Sequence, residues 1–376
     1  MPTALLAGAF GQGNLGDDAL LRAFVGALPD WQLTVTTHDP AEAAALGCEP
    51  VRTSRPDAVG RAAAKADAIV IGGGSIFKTM HPAAGRRPRG LLTNVAALGA
   101  LSTLRGRPLA LVGVGASDLP DWTSRTLARF IVRQSDLLVL RDEESTDALL
   151  RAGVPGPFRV GADPAWTLLR PPEARPSPDR SVLVVPSTYA VSADGWPGMV
   201  RRMADTVQHL IDAGLRVHVQ VWQRRTPATP IDDERIVRAL VHRFGHGIVV
   251  LPTPSSLDDA VRVMTDMATV LSFRFHALIA AAAAGVPTVA VAHEAKLGAI
   301  ARRLEQRVAA VDFEPAALAK LVLLQLASPA PGPAVVKEQV DLADEGFRLL
   351  RVLLSGGRSE EADSLGALPL TPAPPR

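Results

Sequence analysis

Two short segments of this 376-residue chain carry side chains suited to holding an anion and moving a proton. The first is Ser272-Phe273-Arg274-Phe275-His276, and the second is His293-Glu294-Ala295-Lys296. A guanidinium pairs planar anions through two parallel hydrogen bonds, an ammonium adds a compact positive charge, and an imidazole exchanges a proton near neutral pH. Each segment follows an apolar run of strand type: Ala268 to Leu271 before the first, Val286 to Ala292 before the second. Between them, Ala277 to Ala284 is strongly helix-forming, and Gly285 is placed to stop the helix. The pattern predicts two neighbouring strands of a parallel sheet. Arg274, His276, His293, Glu294 and Lys296 then fall at its C-terminal edge, where open α/β sheets bind ligands. Arg274 and His276 are two residues apart, a spacing that points to one side in extended chain.

The same grammar recurs upstream. Thr3 to Phe10 reads as a strand, Gly11 to Asp18 as a glycine-rich turn and Ala19 to Leu28 as a helix, an arrangement that aims backbone N–H groups at a ligand. The glycine spacing is close to that of a dinucleotide loop. Asn14 and the paired Asp17 and Asp18 are foreign to one, since two carboxylates at a helix start repel a phosphate. Asp17 is either a helix N-cap, with Asp18 a partner of the helix dipole, or a ligand-facing group. Asn14, in a loop with Gly13 and Gly16, suits binding a hydroxyl or holding the loop. Ala68 to Ile71 leads into Gly72, Gly73, Gly74 and Ser75, which implies either close approach to the backbone or a tight turn. Pro108 to Val112 leads into Gly113-Val114-Gly115. Asp136 to Leu140 ends in Arg141, a further arginine at a strand end. Asp142, Glu143 and Glu144 suit the dipole of the helix that follows. Asp163, before Pro164, is a turn former that could equally face a cleft.

The strands and helices behind these edges form two βα series. Arg170 to Arg180, with Pro171, Pro172, Pro176 and Pro178, reads as a linker. Beyond it, Val182 to Val185, Arg216 to Trp222 and Ile248 to Leu251 are strands, and Asp232-Asp233-Glu234 opens a helix to Phe244. The expected fold is α/β, with two Rossmann-like domains facing across a cleft. The expected boundaries are 1–170, a linker at 171–180, 181–330, a closing helix at 331–356 and a disordered tail at 357–376. Aromatic content is only 4%, so the core must be built of Ala, Val and Leu. A net charge of +2 is too small to argue for nucleic acid, while a pI near 9.0 leaves room for anionic ligands. Cys48 stands alone, which excludes an internal disulfide and a cysteine-built zinc site and fits a reducing cytosol. No carboxylate or histidine cluster calls for a metal. Met1 to Phe10 lacks a basic leader and reads as a strand, and no apolar run reaches the roughly 18 residues of a membrane span. The loop from His81 to Arg89 carries Arg86, Arg87 and Arg89 ahead of an apolar helix. It is either a solvated loop or a surface that touches a membrane or a lipid-linked anionic substrate.

The ordered set Gly11-x-Gly13-Asn14-x-Gly16-Asp17, Gly72-Gly73-Gly74-Ser75, Gly113-Val114-Gly115, Arg141-Asp142-x-x-Ser145, Gly161-Ala162-Asp163-Pro164, Ser272-x-Arg274-x-His276 and Glu294-x-Lys296 resembles the polysaccharide pyruvyltransferase family. Within the family it is most similar to the cell-surface-anchoring (CsaB) type. The resemblance covers most of residues 3 to 300. It implies a GT-B-like fold and phosphoenolpyruvate as donor, with no cofactor. It further implies an acceptor in N-acetylmannosamine of a secondary cell-wall polymer that S-layer proteins bind. Where the family often has a tyrosine ahead of the lysine, this chain has His293, a difference expected to bear on the acceptor.

On that resemblance, Arg141, Arg274 and Lys296 are expected to grip phosphoenolpyruvate, with Arg274 alternatively buttressing His276. His276 is the expected general acid and Asp17 a candidate base. Asn14, Gly13, Gly16, Gly73, Gly74, Ser75 and Glu294 are expected on the acceptor side. The expected location is the cytoplasm, with the inner membrane face open if the acceptor is lipid-linked. The alternative enzyme is a GT-B glycosyltransferase using a nucleotide sugar, with Glu294 as its one candidate ribose ligand. A non-catalytic scaffold is disfavoured, because it would have no use for Arg274, His276 and Lys296 at one edge.

Overall fold

The computed structural model describes residues 1–80, 87–172, 180–189 and 195–356. Arg86, most of the proline-rich linker and the tail from residue 357 lie outside the described residues. The strands are β1 (Thr3–Phe10), β2 (Gln32–Thr37), β3 (Glu49–Arg52), β4 (Ala68–Gly72), β5 (Ser75–Phe77), β6 (Leu109–Ala116), β7 (Leu137–Leu140), β8 (Arg159–Val160), β9 (Ser181–Val185), β10 (Arg216–Gln220), β11 (Ile248–Leu251), β12 (Thr269–Ser272), β13 (Thr288–Ala292) and β14 (Arg307–Ala310). The helices are α1 (Leu15–Ala27), α2 (Pro40–Ala45), α3 (Pro56–Lys65), α4 (Gly90–Arg105), α5 (Trp122–Gln134), α6 (Glu143–Arg151), α7 (Gly195–Asp212), α8 (Glu234–Phe244), α9 (Leu257–Thr265), α10 (Phe275–Ala283), α11 (Ala295–Arg303), α12 (Pro315–Leu326) and α13 (Pro333–Leu354).

Strand and helix alternate, so each strand must return through a crossover and the sheets come out parallel. The first sheet has the order β3-β2-β1-β4-β6-β7-β8, with β5 paired to β6. The second has the order β11-β10-β9-β12-β13-β14. Counted from β9, that is the 3-2-1-4-5-6 order of a Rossmann sheet, whose ligand edge lies at the C-terminal ends of the central strands. Helices cover both faces, so the central strands are apolar along their whole length. Val182, Leu183, Val184 and Val185 in β9 are all fully buried. The second core adds Met203 and Val207 of α7 and Leu240 of α8; the first is led by Ile69, Ile71, Leu109 and Leu111 with Val95 and Ile131 from the helices.

The chain divides into two compact units. One holds residues 1–12, 17–167 and 339–376, the other 13–16 and 168–338. Helix α13 therefore changes unit at Gln339, and its later part stays with the first unit, where Phe347 meets Phe24 edge-on at 4.9 Å. The glycine loop 13–16 belongs to the second unit.

Two local expectations need correcting. Helix α1 starts at Leu15, not Ala19, so Asp17 and Asp18 stand in its first turn and neither is the N-cap. Helix α10 starts at Phe275, so Arg274 has extended backbone (φ −121°, ψ 128°) while His276 is already helical. The two-residue spacing of an extended strand therefore does not govern that pair.

Candidate active site

In the second unit the site grows from the junction of β12 and α10. Ser272 Oγ accepts from the Arg274 N–H and donates to its carbonyl, both at 3.0 Å, which fixes the turn out of the strand. The Arg274 guanidinium is then fully engaged. Nε donates to Asp233 Oδ2 at 3.0 Å, Nη2 to both Asp233 oxygens at 2.6 Å, and Nη1 to Gln223 Oε1 at 2.7 Å. Asp233 occupies the N-cap position of α8 yet makes no capping bond, because its carboxylate turns to Arg274. It also accepts from the Thr188 N–H at 3.0 Å. Burial pushes the Asp233 carboxyl up and the Arg274 charge pulls against it, so each ion depends on the other.

His276 is the second residue of α10, and the loop 13–16 lies directly on it. A Cβ built on Gly16 would overlap His276 Nδ1, so only glycine lets the backbone come this close. The loop is held from behind. Asn14 bridges to Gln223, the Leu15 N–H donates to the Trp222 carbonyl at 3.3 Å, and the Arg224 N–H donates to the Gly13 carbonyl at 3.2 Å. Asn14 Oδ1 accepts from the Gly16 N–H at 3.2 Å. Residues 222–224 thus hold the glycine loop by backbone and Arg274 by side chain.

At the adjacent strand end, β13 to α11, Lys296 Nζ pairs with Glu294 Oε2 at 2.7 Å, each side chain about a quarter exposed (25% and 24%). Glu294 sits at the N-cap of α11 without making a capping bond. His293 is held neutral, its pKa pushed down to about 4 by burial, with Lys296 and Arg274 acting in the same direction against Glu294. Its Nδ1 is buried with no hydrogen-bond partner, and its ring meets Tyr189, the chain's one tyrosine, at 5.7 Å.

The first unit carries a comparable arginine. Arg141 Nε donates to Asp142 Oδ2 at 2.9 Å, Nη2 donates to Ser75 Oγ at 3.1 Å, and Nη1 lies 3.9 Å from Asp163 Oδ2. The guanidinium crosses Gly115, where a Cβ would come within 2.5 Å of Nη2. Asp142 also caps α6 through the Ser145 N–H at 2.7 Å, and Asp163 closes its own turn onto the Ala165 N–H at 3.1 Å. Gly73 has a left-handed φ of +60° and is covered by Leu20 of α1, a packing reason for a small residue there. Gly74, at +73°, faces open space. In the first turn of α1 the Asp18 carboxyl is pushed up to about 8, first by burial and then by Glu42 and Asp17.

The sequence reading set Gly13, Asn14 and Gly16 in the first domain and Arg274 and His276 in the second, whereas the structure groups the loop with Arg274 and His276. It did not single out Asp233, Gln223 or Tyr189. The available signal was Asp233 within an acidic run at a helix start, which reads equally well as a dipole partner. Among the described residues, no group of three His, Cys, Asp or Glu is gathered for a metal ion, and no helix is long and apolar enough to cross a membrane.

The family model for polysaccharide pyruvyl transferases matches residues 14–294, three quarters of the chain. The chain belongs to that family. It is a pyruvyltransferase, with both strand-end clusters inside or bordering the matched range. No match is found among curated proteins. Among solved structures this pyruvyltransferase is similar to the UDP-GlcNAc 2-epimerase of Methanocaldococcus jannaschii in complex with UDP-GlcNAc and UDP, at 12% identity and a TM-score of 0.58 over 94% of this chain and 100% of that one. It is similar also to a putative UDP-N-acetylglucosamine 2-epimerase of Listeria monocytogenes (11%, 0.58, 95% and 98%) and to Anabaena HepE in complex with UDP-glucose (12%, 0.55, 97% and 99%). At these identities the likeness is one of fold, and the fold is GT-B-like.

Proposed function

We propose that this pyruvyltransferase moves the enolpyruvyl group of phosphoenolpyruvate onto two hydroxyls of one sugar, forming a pyruvate ketal and releasing phosphate. The methylene carbon takes a proton and becomes a methyl group. The central carbon forms two bonds to sugar oxygens and loses its bond to the phosphate oxygen. Of the two hydroxyl protons released, one replaces that given to the methylene and the other leaves on phosphate.

The observation that carries this reading is His276 in the first turn of α10, positioned by Gly16 and by the braced Arg274. An imidazole so fixed suits delivery of the proton to the methylene carbon. The N-termini of α10 and α11 are capped by neither of their N-cap side chains and favour an anion, with Lys296 beside the second. Lys296 is assigned to the donor, and Arg274 to positioning. For the first unit, Arg141 is assigned to the donor and Asp17 to drawing a proton from an acceptor hydroxyl. Asn14, Gly13, Gly16, Gly73, Gly74, Ser75 and Glu294 are assigned to the acceptor side. The acceptor we favour is N-acetylmannosamine of a secondary cell-wall polymer, carried on lipid at the cytoplasmic face of the membrane and later bound by S-layer proteins. That choice follows the motif resemblance.

The test is phosphate release from phosphoenolpyruvate with a synthetic or lipid-linked N-acetylmannosamine acceptor, comparing the unaltered enzyme with His276→Ala. Acceptor-dependent release, a pyruvyl mass added to the sugar and loss of both in the variant are expected. No release, together with protection from proteolysis by a UDP-sugar and not by phosphoenolpyruvate, overturns the reading in favour of a nucleotide-sugar glycosyltransferase.

A further inference from the structure

We propose that the outer face of α4 and α5 docks on an anionic lipid bilayer. The two helices run side by side in the same direction. At their starts Arg89, the N-cap of α4, pairs with Asp121, the N-cap of α5, at 3.0 Å. At their ends Thr103 Oγ1 bonds Gln134. Helix α4 buries Leu92, Val95 and Ser102, and α5 buries Ser124, Ala128 and Ile131. At 100° per residue, the opposite face of α5 presents Trp122 and Arg133, with Arg129 turned onto the Ala152 and Gly153 carbonyls, and that of α4 presents Ala97, Ala100 and Leu104.

Neither helix contains an acidic residue, whereas α6 and α9 open with Glu143 and Glu144 and with Asp258 and Asp259. Large apolar groups stand in water on this face: Trp122 is 74% exposed, Leu104 80% and Phe130 37%. A face whose two helices carry arginines and no acid, with an exposed indole and shallow apolar groups, matches a bilayer interface. Arginines meet lipid phosphates there, tryptophan rests at headgroup level, and leucine and phenylalanine enter the acyl boundary. A nucleic acid would satisfy the arginines and leave Leu104 and Phe130 unused.

The surface therefore moves the candidate membrane contact from the loop at Arg87 and Arg89 onto the helices behind it. Because α4 and α5 begin at the C-terminal edge of the first sheet, docking would bring the loops after β4 and β6 near the headgroups. The inference rests on this surface and stands apart from the transfer chemistry.

The experiment is co-sedimentation of the full chain with phosphatidylcholine vesicles, with and without phosphatidylglycerol, at low and high salt. Binding only to the anionic vesicles, weakened by salt, is expected. Trp122→Ala with Arg133→Glu should lower the partition about tenfold or more, at an unchanged thermal midpoint, while Val250→Ala on the other unit leaves it unaltered. In the unaltered protein, brominated lipid in the same vesicles should quench tryptophan emission, a readout that stands even if the double variant fails to fold. No binding at low salt, undiminished binding by a folded double variant, unquenched emission from bound protein, or binding to duplex DNA without binding to vesicles each overturns the proposal.

Discussion

Replacing Gly16 with alanine is expected to damage catalysis and spare the fold. Gly16 is the second residue of α1 and is not among the glycines with left-handed backbone. In a helix, alanine is ordinarily favoured over glycine by about 1 kcal/mol. Against this, the new Cβ would sit 2.5 Å from His276 Cγ and 2.7 Å from Cε1. Carbon atoms pack at about 3.5–4.0 Å, so the ring must withdraw by roughly 1 Å. A displacement of that size in a catalytic group costs about 10²-fold in rate, close to 2.7 kcal/mol of barrier. The assay is steady-state phosphate release, with Gly26→Ala as control, since Gly26 lies in the same helix and a Cβ there meets nothing within 4 Å. We expect kcat to fall about a hundredfold in Gly16→Ala and to hold in Gly26→Ala, with thermal midpoints near that of the unaltered enzyme. Adding Gly16→Ala to His276→Ala should cost nothing more, as both act through one ring. An unchanged kcat in Gly16→Ala, or additive losses in the double variant, would refute the reasoning.

Two further outcomes follow from the buried charges. Asp233→Asn leaves the Arg274 cation buried opposite a neutral amide and should destabilise the second unit by about 3–5 kcal/mol. Urea unfolding is the readout, and Arg274→Met added to it should recover part of the loss; an undiminished midpoint in the single variant would show that the pair is not coupled. Asp18→Asn should stabilise with a pH signature. Asp18 has a folded-state pKa pushed up to about 8 from an ordinary 3.8, so the folded protein holds a proton that the unfolded chain gives up, and stability drains as pH rises from about 4 to 8. Asparagine mimics the protonated form, so the variant should match the unaltered protein near pH 4. By pH 8 it should exceed it by on the order of 2 kcal/mol, after allowance for the remaining solvent access of the site. A gap that is flat with pH would contradict this.

The central strands were within reach of the sequence because buried parallel strands announce themselves as continuous apolar runs, as at Val182 to Val185 and Val286 to Ala292. Gly285 was legible as a helix stop, and its φ of +66° is that of such a cap. Arg274, His276 and Lys296 at strand ends were legible for the same reason, since a strand end followed by a helix start is a local pattern. The grouping of the glycine loop was not legible. Nothing in Gly13 to Gly16 states that its partners are Trp222, Gln223 and Arg224, some two hundred residues away. Asp233 was hidden because a carboxylate at a helix start has an adequate local explanation, and only the structure turns it toward Arg274. The start of α1 was misplaced by four residues because glycine and asparagine depress helix propensity, while the backbone contacts of the loop override it.

The strand-end arginine of the second unit leads to a physical conclusion. Arg274 is spent on Asp233 and Gln223. Lys296 shares its charge with Glu294. A guanidinium whose charge is balanced by a buried carboxylate contributes little net field to an incoming anion, and pulling it away would strand that carboxylate. Arg274, given a positioning role above, is therefore read as a brace. It holds the end of β12 in place and hands the positioning on to the first turn of α10. In that unit the positive potential offered to a small dianion would come from the backbone N–H groups opening α10 and α11 together with Lys296. The N–H groups cannot be neutralised by a neighbouring side chain without a capping bond, and neither Arg274 nor Glu294 makes one. His276 rides on the first of these helices, so the group that would deliver the proton and the dipole that would hold the anion are fixed by the same turn.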